Sequence, residues 1–436
     1  MQLLIYADRP SPRLRYTLDV LFGALLPCTY RLTHDKQAFS DSELPRINYS
    51  AAPIDDAALH LLPCGLLAAG DIAPQAIEVF QHEGLPAFFG HSGGGDLPFD
   101  LFALLFYQLS RYEEYLVFRA DRHDRFPASE SLAGRAGFLG LPLVDRWAQR
   151  LGEVLRRRFP RWSYRAPAFS FLPTYDVDLA WAYRHRGWWR QLGGTLRHVA
   201  RADLKGLYER LAVLGGRRSD PFQTFSFLDE LHRRYELQPR YFFLLGDRGP
   251  YDLNASHREP ELQALIRRQA QRHTVGIHPS YRSNEQPGRL PLEIRRLEQI
   301  TGRAVRDSRQ HYLRLRLPHS YRHLLSAGIR TDYSMGFADA PGFRAGTAQP
   351  FFWYDLKRET PTPLNIVPFQ VMDGTLKNYL GCPPDQVMAQ LAPLIEQTRQ
   401  VGGQFCTLWH NSSFSSTAGW AGWKKVYEKL VDHLAG

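Results

Sequence analysis

Residues 166–178 read APAFSFLPTYDVD. The opening APAFSFLP has the apolar character of a buried strand, and Asp176 and Asp178 then close the run. Strand interiors rarely hold Asp. Two carboxylates this close repel each other unless a cation, a proton or an arginine stands between them. A single Asp here reads as a cap or turn residue. The pair, with no helix start beside it, reads as functional.

Working outward, the chain from 166 alternates between strand-like and helix-like stretches. The strand candidates are AFSFLPTY, RYFFLLG, TVGIH, AVRDS, GIRTDY, NIVPFQ and QFCTLWH, separated by helical patterns such as FQTFSFLDELHRRYE and EPELQALIRRQAQRH. This alternation implies parallel strands with helical crossovers. Seven strands over residues 166–436 fit an incomplete (β/α)7 barrel better than an open sheet. Residues 1–165 read as a smaller N-terminal α/β domain. LLIYA is its first strand, RLRYTLDVLFGALL a helix, and FDLFALLFYQLSRYEEYL a strongly periodic helix with Asp100 placed as its N-cap. PRWSYRAP, residues 160–167, is the expected linker.

The 436-residue chain is 44% hydrophobic, enough to bury sizeable cores, and carries a formal charge of +10. That charge suits an acidic partner, but the arginines are scattered along predicted helices and form no nucleic-acid module. Four cysteines far apart, with no CxxC, exclude a disulfide framework or Cys-type zinc site. Asp8 and Arg9 interrupt the first apolar run, and no stretch reaches the length of a membrane span. The expectation is a cytoplasmic protein that is not integral to a membrane.

The residues with chemistry fall at strand ends. Asp176 and Asp178 follow the first strand and His278 ends TVGIH. Arg309 and His311 follow AVRDS, Asp332 follows GIR, Asp373 follows NIVPFQ, and His410 ends QFCTLWH. In a β/α barrel these ends converge on one face. Asp with one or two His and an open position is the pattern of a catalytic Zn²⁺ or similar ion. His410 is placed as general acid or base. Asp332 and Asp373 are weaker candidates. His185, His198, His257, His273, His319 and His323 read as surface residues. GFRAGTAQPFFWYDL, residues 342–356, reads either as a packed loop or as a substrate loop in which Phe351, Phe352 and Trp353 offer flat faces and Arg344 a hydrogen-bonding fork.

FLPTYDVD, VGIHPSY, DSRQHYLRL and CTLWHNSS resemble, in order, the motifs of the polysaccharide deacetylases (carbohydrate esterase family 4, the NodB homology domain). The resemblance covers about residues 166–436, and the first 160 residues resemble an extra N-terminal domain found in a bacterial subfamily. It implies a metal-dependent hydrolase, most simply a Zn²⁺ one, that removes an acetyl group from an N-acetylated sugar, glycan or phosphorylated carrier-linked intermediate of surface polysaccharide metabolism. It implies Asp176 as general base, Asp178 and His278 as metal ligands, Arg309 as the residue that holds the base, and His410 as proton donor to the leaving group. Trp409 and Tyr281 become substrate-binding candidates beside Arg344 and Trp353. One position departs from the pattern: the second metal His, four residues after the first, is Arg282, which cannot ligate a cation. His311 is the candidate substitute. Two alternatives stay open, a degenerate glycan-binding or assembly module and a hydrolase of another non-peptide C–N bond.

Overall fold

A computed structural model describes residues 2–185, 203–417 and 419–436. His198 lies outside them. The N-terminal sheet is parallel, with order β2-β1-β3-β4, and is built from β1 (Leu3–Ala7), β2 (Tyr30–Thr33), β3 (Arg46–Tyr49) and β4 (Leu59–Leu61). Every residue of β1 is buried, which explains why LLIYA does not alternate: it is covered on both faces. A hairpin of β5 (Phe80–His82) and β6 (Leu85–Ala87) follows.

The helix Leu101–Leu109 begins where the sequence places its cap, with the Asp100 carboxylate accepting from the Ala103 N–H at 3.0 Å. Its length and exposure differ from expectation. All nine residues are buried, because Phe102 packs on Tyr49 of β3 on one side and Phe106 on Tyr354 of the C-terminal part on the other. The helix is capped at Ser110, and Arg111, with a φ of 54°, turns the chain into a short 3-10 segment, Tyr112–Tyr115.

The C-terminal part carries a nine-stranded sheet: β7 (Ser170–Val177), β8 (Arg240–Leu244), β9 (Thr274–His278), β10 (Asp307–Ser308), β11 (Thr331–Asp332), β12 (Phe351–Asp355), β13 (Thr360–Ile366), β14 (Val371–Met372) and β15 (Gln404–His410). Their order is β12-β13-β11-β10-β9-β8-β7-β15-β14. All neighbours pair in parallel except β12, which runs antiparallel to β13. The seven expected strands are present. Two more, β12 and the two-residue β14, are additions, and β13 starts five residues before NIVPFQ.

The order is circular in the chain, with the first strand, β7, beside the last, β15. The sheet also curls: Phe242 of β8, Tyr333 after β11, Val367 and Phe369 after β13, and Cys406 and Leu408 of β15 form one apolar cluster. A flat sheet holds these strands too far apart for contact. Among the described residues β13 and β14 do not pair, leaving one seam. On the β14 side of it, Gln370 extends the β14–β15 ladder by one residue, its N–H donating to the Cys406 carbonyl at 3.0 Å and its side-chain oxygen accepting from the Cys406 N–H at 2.7 Å.

The two parts share a core. Tyr16 lies 4.9 Å from Tyr354 ring to ring, and Trp162, in the expected linker, is buried. The joining segment is thus pinned rather than loose. No helix among the described residues is long and apolar enough to cross a membrane.

Candidate functional site

Register sets the site. Asp176 of β7 pairs with Phe242 of β8 on one side and His410 of β15 on the other. Side chains alternate along a strand, so Asp176, Phe242, Gly276, His278 and His410 share the inner face. Gly276 is needed there: a Cβ would stand 2.7 Å from the Phe242 ring, and that ring lies 4.7 Å beneath the Arg309 guanidinium. Arg309 is fully buried. It donates to the Tyr333 carbonyl at 2.9 Å and to Asp176 Oδ1 at 3.1 Å.

Asp178, His278 and His311 bring ligand atoms within 4.8 Å of one another. His278 Nε2 is 3.2 Å from Asp178 Oδ1 and 3.6 Å from Asp176 Oδ2, and His311 Nε2 is 3.6 Å from Asp178 Oδ2. The other ring nitrogens are engaged. His278 Nδ1 meets the Arg309 carbonyl at 2.5 Å and His311 Nδ1 meets Asp252 Oδ1 at 3.0 Å. A carbonyl or carboxylate oxygen only accepts, so each Nδ1 carries a proton and it is Nε2 that faces Asp178, placed to offer a lone pair where a cation stands. Acceptors converging on a carboxylate, with Asp178 Oδ1 making no hydrogen bond, fit a divalent cation. The fixed Nδ1–H is the outer support that metal-bound histidines have.

Without a cation, a proton takes its place. Burial opposes charge on His311, but Asp178 and then Asp252 outweigh it and raise the imidazole to about 9. Burial likewise opposes ionisation of Asp178, yet His311, His278 and His410 hold it well below the usual carboxylate range. His410 Nδ1 lies 2.8 Å from Asp373 Oδ1, and its backbone N–H donates to Asp373 Oδ2 at 2.7 Å. Burial works against its charge, but Asp373, then Asp178 and Asp176, push His410 up to about 10. His410 Nε2 is 3.8 Å from Asp178 Oδ2. The side chains of Asp178 and His410 are 32% and 25% exposed, so the group opens to solvent on their side.

Several expectations are corrected. Trp409 does not face the site: it neighbours the inward His410 on one strand, so it points outward, where it is buried against Tyr427 at 5.1 Å. Arg344 is no substrate fork. It is buried, donates from Nε and Nη2 to Glu114 at 2.9 and 2.6 Å, and caps the Gly336 carbonyl. Trp353 belongs to β12, not to a loop; it is buried, and its Nε1–H donates to the Tyr115 hydroxyl at 3.2 Å. Phe351 is buried as well, while Phe352 is exposed. Asp332 is a buried brace that accepts from the Ser308 and Ser334 hydroxyls, and burial pushes it up to about 6. Asp373 is not a ligand but the partner of His410. Arg282 lies against Gly249 rather than over the metal-binding group.

Tyr281 stands in a wall beside His311. Its ring is 4.2 Å from that of Tyr251 and 5.4 Å from that of Tyr312, and the Tyr312 ring is 4.7 Å from His311. Tyr251 and Tyr312 are exposed. His123 of the N-terminal part completes the wall, with Nδ1 3.2 Å from the Tyr281 hydroxyl. The sequence reading missed Asp252, Tyr251, Tyr312 and His123. Asp252 and Tyr251 follow a predicted strand end, and that position was the available signal. His123 sits in the DRHDRF motif, far from any strand of the sheet.

Residues 3–160 match a family model described as a family of unknown function, DUF7033. No curated protein matches the chain. Solved structures similar over 62% of the chain include a protein from Mycobacterium smegmatis assigned to the polysaccharide deacetylases (15% identity, 85% of that chain, TM-score 0.40). A 4-alpha-glucanotransferase from Thermococcus litoralis (15%, 38% of that chain, TM-score 0.36) and a polysaccharide deacetylase from Bacillus cereus (11%, 89% of that chain, TM-score 0.30) are also similar. These low scores leave the functional reading to the geometry of the site.

Proposed function

We propose that the chain is a metal-dependent hydrolase that removes an acetyl group from an N-acetylated sugar or glycan intermediate, with residues 166–436 as its catalytic domain and residues 1–165 as a domain that helps wall the site. The observation that carries this is the meeting of two kinds of group on one face: Asp178, His278 and His311 around a common point, and an Asp176–Arg309 base and a His410–Asp373 acid beside them. Binding alone has no use for that second set.

Asp178, His278 and His311 would hold the cation, and their nitrogen and oxygen donors suit Zn²⁺ or a similar ion. When bound, such an ion supplies Lewis acidity toward an acyl oxygen and toward water. Asp176, fixed by Arg309, takes a proton from the attacking water. His410, fixed by Asp373 and protonated at neutral pH, gives its proton to the departing sugar nitrogen. Amide and water become acetate and amine. Tyr251 and Tyr312, the exposed members of the wall, offer flat faces and hydroxyls to a sugar ring, while buried Tyr281 backs them.

The test pairs elemental analysis with acetate release from a panel of N-acetylated sugars, oligosaccharides and nucleotide sugars. The wild type is expected to hold a cation at this site that His278→Ala and His311→Ala lose. Asp176→Asn and His410→Ala are expected to retain the cation and lose turnover. Full turnover in both of the latter, or the same metal content in all variants, overturns the reading.

A further inference from the structure

We propose a second cation site, formed by Asp229, His232 and His273 on the outer face of the sheet. Asp229 and His232 lie three residues apart on the helix Phe225–Arg234 and so share one face of it. His273 joins the helix Pro260–Arg272 to β9. One ligand atom from each falls within 4.8 Å of the others. His273, expected at the surface, is half-buried, and His232 is 2% exposed.

The unpartnered atoms carry the inference. Asp229 Oδ1, His232 Nδ1 and His273 Nδ1 are each buried and make no hydrogen bond, and the same holds for the hydroxyl of Tyr241, whose ring is 5.8 Å from that of His273. Folded proteins satisfy most buried polar atoms, so four together without partners mark a missing occupant. The opposite ends of two ligands are already tied. His232 Nε2 lies 2.7 Å from the Tyr175 hydroxyl, which lies 2.6 Å from that of Tyr427. Asp229 Oδ2 accepts from Arg272 at 3.2 Å. In the tautomer whose Nε2–H donates to Tyr175, which can pass its own proton to Tyr427, His232 turns the Nδ1 lone pair toward Asp229 and His273, the outer support expected of a metal-bound imidazole.

Two imidazoles and one carboxylate select a borderline ion such as Zn²⁺, Co²⁺ or Ni²⁺ over Mg²⁺ or Ca²⁺. A solvent-connected cleft lined by Glu230, Glu236, Gln238 and Arg272 gives the ion a path in. This site is separate from the one at the strand ends. His273 precedes β9 and His278 ends it, about 16 Å along the strand. Tyr241 and Tyr175 alternate with the inward Phe242 and Asp176. An ion here ties a crossover helix to the start of β9, so its effect is on stability, by preferential binding to the folded chain.

The experiment uses the full chain, stripped of metal and titrated with Zn²⁺, and reads bound metal and thermal midpoint. Wild type is expected to bind two equivalents, and His278→Ala one. His273→Ala and Asp229→Asn, chosen because both residues are more exposed than His232, are each expected to bind one equivalent and to lose part of the Zn²⁺-dependent rise in midpoint. The His273→Ala, His278→Ala double variant is expected to bind none. If His273→Ala and Asp229→Asn match wild type in both readouts, internal water fills the gap and the proposal is overturned. Failure of the deacetylase reading would appear as retained turnover in the Asp176 and His410 variants or as a metal count that His278→Ala leaves unchanged; neither alters the test here, which is whether His273→Ala and Asp229→Asn each lose one equivalent relative to wild type.

Discussion

Asp252 Oδ1 lies 3.0 Å from His311 Nδ1, linking the loop after β8 to the turn after β10. Asp252 also accepts the Tyr281 N–H at 2.8 Å. One buried carboxylate therefore sets both the tautomer of a proposed ligand and the backbone of the adjacent aromatic wall. Asp252→Ala is expected to weaken metal binding about 10–100-fold, with Asp252→Asn intermediate because its amide oxygen still accepts. Competition against a chromogenic chelator reads this directly. Wild-type affinity in the alanine variant would remove Asp252 from the site.

Asp373 bears on the proposed acid rather than on the metal. It holds His410 through the ring Nδ1 and the backbone N–H, and it also accepts from the Ser413 hydroxyl. Asp373→Asn keeps the shape but removes the charge that favours the protonated ring. A fall of about 10²–10⁴-fold in kcat is expected, with KM and metal content near wild type. Parallel losses of metal and of kcat would instead assign Asp373 to the ligand set.

Arg344 and Glu114, 230 residues apart in the chain, form a buried ion pair between the two parts of the molecule. Arg111 shares the same carboxylate at 2.8 Å. Breaking a buried pair leaves an uncompensated charge, so Arg344→Met is expected to destabilise the fold by about 3–5 kcal/mol, read as a lower denaturant midpoint. KM is expected to stay unchanged in the folded fraction. A raised KM with unchanged stability would restore the substrate role that the sequence suggests for Arg344.

These residues show what the sequence makes legible. Asp176, Asp178, His278, Arg309, His311 and His410 are visible because strand ends are local features, and parallel strands bring their ends to one face. What is missed depends on distant partners. Arg344 looks like a free fork until Glu114 is placed against it. Aromatic runs such as FFWYD read the same in an exposed loop and in a buried edge strand. The all-round burial of Leu101–Leu109 becomes apparent only once Tyr354 covers its second side. Asp252 lies in a loop with no periodicity to mark it.

Asp145 gives the joint between the two parts a pH dependence of its own. It lies in the helix Leu143–Arg158 and is 3% exposed; Oδ2 accepts the Ala348 N–H at 3.2 Å, and Oδ1 makes no hydrogen bond. Burial pushes it up to about 7, from an ordinary value of 3.8. The folded chain therefore holds this proton more tightly than the unfolded chain. Its contribution is most favourable below about pH 4, is lost as pH rises toward 7, and is flat above that, a swing on the order of 4 kcal/mol. Asp145→Asn keeps an oxygen for Ala348 and has no proton to lose. Relative to wild type, its denaturation midpoint is expected to rise progressively from about pH 4 to pH 7 and to level off above that, and parallel profiles for the two proteins would show that Asp145 does not carry the effect.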